Sequence, residues 1–199
     1  AREISTLLSQ ANMAVQHAKH LGGNTFQFFT DNLQACTLER LQLENQLRKG
    51  INEGQLEVFY QPKLCLASDS LNAAEALVRW RHPELGLVPP SDFIGLAEET
   101  GLIFELGGWI LEAACRQIRN WLDGGLDPLP IAVNLSARQF DPQLPDRLQS
   151  AIKRHDVPCE LLKLEITESL LVRGPETVIP IMNKLVAMGF ALSLDDFGT

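Results

Sequence analysis

Hydrophobic and polar positions change rhythm along this chain, and the change divides it. In residues 5–20, "STLLSQANMAVQHAKH", Leu7, Leu8, Ala11, Val15 and Ala18 share one helical face, and Gly22 and Gly23 end the run. "NTFQFF" then reads as a short strand. A lone helix and strand cannot enclose a core, so residues 1–30 read as the tail of a domain whose body lies elsewhere. Residues 36–53 predict a polar helix with Leu43, Leu47 and Ile51 at i, i+4 spacing, a linker or the lid of the next unit.

From residue 56 the pattern becomes β-rich. "LEVFYQPKLCL" and "SLNAAEALVRW", joined through "ASD", predict a hairpin. "PPSDFIGLAEETG" predicts a short helix capped by Ser91 or Asp92. A longer helix is expected over residues 105–123, with Leu106, Ile110, Ala114, Ile118 and Trp121 as its inner stripe. Beyond it comes a repeated beat. "LPIAVN", "LLKLEIT" and "FALSLDD" read as strands, separated by helices at "DPQLPDRLQSAIKRH" and "PETVIPIMNKLVAMG". Leu144, Leu148 and Ile152 align in the first of these, and Pro180 suggests that the regular part of the second begins there. Alternating strands and helices with short connections imply βα units on a parallel sheet. Periodicity alone leaves barrel and open sheet as alternatives.

The strands carry polar interruptions. Glu75 breaks "NAAEALVRW", Asn134 closes "PIAVN", Glu165 breaks "LKLEIT", and Asp195 with Asp196 closes the last run. A buried carboxylate needs a partner, a hydrogen bond or a metal. Each position alone has a bland explanation as a turn cap, an ion-pair member or an acidic turn. Four coincident interruptions at one rim point instead to a hard-cation site for Mg²⁺ or Mn²⁺. Asp195 and Asp196 could serve two ions holding a hydroxide and a phosphoryl oxygen. Arg79, on the strand face of Glu75, suits a phosphate or an ion pair with a carboxylate such as Glu165. Gln61 suits a base edge or a backbone group. Glu168 suits a loop anchor, a helix cap or a solvated charge.

Composition narrows the partners. The 199 residues are 45% hydrophobic with a net charge of −8. That balance disfavours a basic surface for DNA or RNA polymers. The four cysteines lie far apart and read as small buried hydrophobes of a reducing compartment; the four histidines lack metal-ligand spacing. With no long apolar run and no signal pattern, the chain reads as cytoplasmic, with inner-membrane anchoring of the parent left open.

The motifs "YQPKL", "EALVRWRHPELGLVPPSDFIGLAEETGLI", "VNLSARQF", "LEITESLL" and "LDDFGT", in this order, resemble the EAL-domain cyclic di-GMP phosphodiesterases. The resemblance covers roughly residues 38–199. "AKHLGGNTFQFF" resembles the end of a GGDEF domain, although the GGDEF signature is absent. The implied organisation is a GGDEF remnant at 1–30, a lead-in helix at 31–54 and an EAL domain at 55–199, cut after "DDFGT". The implied fold is α/β, a modified (β/α)₈ TIM-like barrel with one antiparallel strand and about its first half in this chain. The implied activity is hydrolysis of cyclic di-GMP to linear pGpG with two ions of Mg²⁺ or Mn²⁺. By motif, Glu75, Asn134, Glu165, Asp195 and Asp196 would hold metal, with Asp195 bridging; the catalytic set would be Glu165, Asp195 and Asp196. Gln61 would meet a guanine, Arg79 a phosphate, and Glu168 would steady the loop after "DDFGT".

The family's later lysine, glutamate and glutamine have no counterpart in these 199 residues, so little activity is expected of them alone. The implied partners are cyclic di-GMP, a second copy through the EAL domain, and upstream GGDEF and sensory domains. Two other readings stand beside the enzyme. One is a non-catalytic cyclic di-GMP receptor; the other is a dimerising regulatory module built on the 36–53 helix.

Overall fold

In the computed structural model the described residues are 4–20, 24–167, 170 and 175–195, and the side chains of residues 5, 16, 17, 19, 20, 31–37 and 195 lie outside that description. The chain divides into two units, Ala1–Lys49 and Gly50–Thr199. In the first, helix α1 spans Ile4–His20. Among its described side chains Ala14 and Ala18 are buried, whereas Leu7, Leu8 and Val15 are exposed. A unit this small has too little surface to cover a whole apolar face. "NTFQFF" is not a strand. Phe26 and Phe28 are exposed and stack edge to face at 5.5 Å, and no described strand offers their backbone a partner. Helix α2, Asp31–Asn52, starts earlier than its apolar spacing predicts and runs across the boundary between the units. Leu47 and Ile51 are buried in it, as expected.

The second unit is built on a mixed sheet. Strands β1 (Leu56–Cys65) and β2 (Ser70–His82) form the expected antiparallel hairpin, with Gln61 opposite Glu75. A short strand, β3 (Gly86–Val88), folds back onto β2. Strands β4 (Ile131–Leu135), β5 (Leu162–Thr167) and β6 (Ala191–Asp195) then add in parallel, in the order β1-β2-β4-β5-β6. Relative to β2, therefore, β1 runs antiparallel and the later βα units run parallel.

Helices α3 (Pro90–Thr100), α4 (Ile103–Asp123), α5 (Leu144–His155) and α6 (Pro175–Ala187) connect these strands. Alternation explains the layers. Ala76, Val78 and Trp80 of β2, Ile131 and Val133 of β4, and Leu162, Leu164 and Ile166 of β5 are buried. Tyr60 of β1 packs edge-on against Trp121 of α4, its ring 5.8 Å away. Leu106, Ile110, Ala114 and Ile118 bury the predicted stripe of α4.

Three local expectations are corrected. Neither Ser91 nor Asp92 caps α3: Pro89 is the N-cap with no side-chain bond, and Pro90 begins the helix. Proline suits that position because its missing N–H would have no intrahelical partner there. Helix α6 already begins at Pro175 and continues through Pro180, whose position is exposed. The Glu176 carbonyl that Pro180 cannot bond is therefore open to water. Of the cysteines, Cys115 is buried, whereas Cys65 and Cys159 are only half-buried; all three are free.

Candidate metal-binding site at the strand ends

The site grows out of register. Parallel pairing sets Glu75 beside Ala132, Asn134 beside Glu165, and Glu165 beside Ser193. On β2, β4 and β5 the positions next to Glu75, Asn134 and Glu165 include the buried apolar side chains Ala76, Val133, Leu164 and Ile166. The polar residues are thereby turned to the opposite face of the sheet. They meet there. Asn134 Nδ2 donates to Glu75 Oε1 at 2.8 Å, and Ser193 Oγ donates to Glu165 Oε1 at 3.2 Å.

The centre of this group is a residue that sequence reasoning did not select. Lys63 Nζ lies 2.6 Å from both carboxylate oxygens of Glu165 and 3.1 Å from Glu75 Oε2. Glu165 is 5% exposed, Glu75 19% and Lys63 31%, so the cluster is largely withdrawn from water. Burial alone would lower the ammonium's pKa, but hydrogen bonds and attraction from Glu165 and Glu75 outweigh it, and the net shift is upward. Lys63 could have been found from "YQPK": it lies two residues after Gln61 on a strand and so shares its face.

A second, supporting layer holds the turn after Asn134. Ser136 Oγ donates to Glu98 Oε1 at 2.6 Å, and the Ser136 N–H donates to Gln139 Oε1 at 3.0 Å. With the Arg138 N–H bonded to Ser136 Oγ, these contacts cap the single turn Ala137–Gln139. Gln139 is buried against Gly107 of α4, where an added Cβ would lie 1.9 Å from its Nε2. A side chain at 107 would therefore force the Gln139 amide to move.

The other expected residues are dispersed around this cluster or lie beyond it. Gln61 is exposed on β1. Arg79 donates to the Val78 carbonyl at 2.8 Å and lies 5.7 Å over the Phe59 ring; the cation on Glu165 is Lys63 instead. Asp195 ends β6 opposite Thr167, two residues beyond Ser193. Asp196 and Glu168 lie outside the described residues. Among the described residues no group of three His, Cys, Asp or Glu side chains gathers. The described donors are two carboxylates and one amide, all hard oxygen ligands, and a cation already sits between the carboxylates. That donor set fits a divalent ion of the Mg²⁺ or Mn²⁺ kind. A groove of about 640 Å³ between α4 and α5, lined by Glu112, Asp146, Arg147 and Arg154, contains none of these residues.

The sequence matches the EAL domain over residues 44–199. The chain belongs to the EAL-domain family. The bifunctional diguanylate cyclase/cyclic di-GMP phosphodiesterase MucR of Pseudomonas aeruginosa is 44% identical over 97% of this chain and 28% of its own length. The cyclic di-GMP phosphodiesterase NbdA of the same organism is 40% identical, again over 97% of this chain and 25% of its own length. The chain thus spans about a quarter of the length of these relatives. The PaMucR phosphodiesterase solved as a c-di-GMP complex superimposes with a TM-score of 0.76 at 46% identity, covering 79% of this chain and 64% of that one. The mixed sheet is accordingly the barrel-type α/β fold of EAL domains. Among the described residues no helix is long and apolar enough to cross a membrane.

Proposed function

We propose that this EAL domain belongs to a phosphodiesterase that opens cyclic di-GMP to linear pGpG with Mg²⁺ or Mn²⁺, two ions in the complete site. The carrying observation is the convergence of Glu75, Asn134 and Glu165 from three neighbouring strands around one seated cation. Relatives named as cyclic di-GMP phosphodiesterases support the substrate. Residues 55–199 form the EAL domain in this reading, residues 31–54 its lead-in, and residues 1–30 the end of a GGDEF domain.

Glu75 and Glu165 would hold the ions through carboxylate oxygens. Asn134 would offer Oδ1, because its Nδ2 is committed to Glu75. Asp195 and Asp196 would complete the set of carboxylates that hold the ions. Bound divalent ions would acidify a water and neutralise charge on the phosphoryl oxygens. Gln61 orients a guanine edge, Arg79 holds a phosphate oxygen, and Glu168 steadies the adjoining loop. In the reaction, water oxygen bonds to phosphorus and the P–O3′ bond breaks. The ribose O3′ takes a proton, and the phosphate stays on the other sugar's O5′.

The test is chromatography of cyclic di-GMP incubated with the protein at its full native length and Mn²⁺ or Mg²⁺. The expected result is conversion to pGpG, abolished by EDTA and restored by added metal. Tight nucleotide binding without turnover would overturn the enzyme and leave a receptor.

A further inference from the structure

We infer that Lys63 is a built-in competitor of the metal: its ammonium occupies the seat between Glu75 and Glu165, and loading a divalent ion requires it to swing out. The inference rests on the reading of Glu75 and Glu165 as metal ligands. Two carboxylates this close repel each other when neither a proton nor a cation separates them. Lys63 supplies that cation from within the chain, bonded to both Glu165 oxygens at 2.6 Å and to Glu75 at 3.1 Å.

A metal needs the same oxygens. A hard cation about 2.0–2.6 Å from the facing oxygens of Glu75 and Glu165 would take the space in which the ammonium sits. The two cations therefore exclude each other at this seat. Geometry permits the exchange: Lys63 reaches the seat on a flexible four-carbon stem, from β1, a strand that supplies none of the proposed oxygen ligands. It is also part-exposed, so the displaced ammonium has water to enter.

The functional consequence concerns affinity. When only a fraction of the molecules present an empty seat, the apparent dissociation constant for metal rises by the inverse of that fraction. Lys63 thus lowers metal affinity below what the oxygen set alone would give, while keeping the metal-free carboxylates compatible with the fold. It is a positioning residue for metal loading and takes no part in bond breaking.

The experiment is calorimetric titration of Mn²⁺ into the full-length protein and its Lys63→Met variant, with a lysine-reactive label read by mass spectrometry on the unmodified protein. Removing the ammonium is expected to tighten Mn²⁺ binding by about tenfold or more. Labelling at Lys63 is expected to be slow without metal and to accelerate once Mn²⁺ is bound. The labelling arm stands even if the variant folds poorly. Unchanged or weaker Mn²⁺ binding by a folded Lys63→Met variant, or Lys63 labelling that Mn²⁺ leaves unchanged or slows, would overturn the inference. Absence of Mn²⁺ binding in both proteins would overturn the metal-ligand reading of Glu75 and Glu165 itself, a different failure.

Discussion

Two carboxylate–cation clusters, one between helices and one at the strand ends, differ in charge balance. Between the helices Glu112 of α4 pairs with Arg154 and His155 of α5, at 2.7 Å for the histidine. One carboxylate there meets one guanidinium and an imidazole, and the pair is substantially exposed, Arg154 by 63%. At the strand ends two carboxylates share one ammonium, with Glu165 nearly sealed. The helical cluster is neutral or better with its own side chains. The strand-end cluster keeps a surplus negative charge where water is scarce, and desolvation makes such a surplus costly unless another cation supplements or replaces the lysine. Proximity of charges is common to both. The imbalance under burial separates a candidate site from a structural pair.

That contrast can be broken at its strongest point by Glu165→Gln, which keeps the side-chain shape and removes the charge. Turnover of cyclic di-GMP by the full-length protein is expected to fall by about 10³-fold, about 4 kcal/mol in the barrier. A variant that retained near-normal rates would put Glu165 outside the catalytic set. An intermediate effect is expected one layer away. Gly107→Ala would drive a methyl group into the Gln139 amide and loosen the turn that comes after Asn134. The expected cost is about 1–3 kcal/mol by denaturant unfolding, with weakened metal binding as a secondary effect. The smallest effect belongs to the helical cluster. Glu112→Gln should change stability by no more than about 1 kcal/mol and leave turnover unaltered, because a part-exposed pair is screened by solvent. A large loss of turnover there would erase the distinction drawn between the two clusters.

Legibility in the sequence divides along similar lines. The hairpin and the alternation of strands and helices could be read because the β-rich run "LEVFYQPKLC" and the apolar runs of β4 and β5 mark strands directly. Glu75, Asn134 and Glu165 were visible as polar breaks in those runs. Lys63 shows in the sequence only the strand face it shares with Gln61; a lysine at an edge strand ordinarily signals solvent, and its partner lies 102 residues away. Ser193 was hidden for a similar reason, since a small hydroxyl in a strand carries no pattern of its own. The supposed strand at Phe26 and Phe28 failed in the opposite direction: aromatic alternation mimicked burial where no described strand pairs with it. Gly107 was indistinguishable from an ordinary helical glycine until Gln139 was seen against it.

The reversed direction of β1 also bears on the order in which the site can assemble. A short connection joins Cys65 to Ser70, and the resulting hairpin sets Gln61 opposite Glu75 by local pairing alone. Hairpins close in about 1–10 μs. Asn134 reaches Glu75 across 59 residues, so that contact waits on a much slower search through parallel topology. During synthesis, too, the hairpin leaves the ribosome well before the strands that complete the cradle. The edge that carries Gln61 and Glu75 can thus be in place as a template, and Asn134 and Glu165 join it strand by strand.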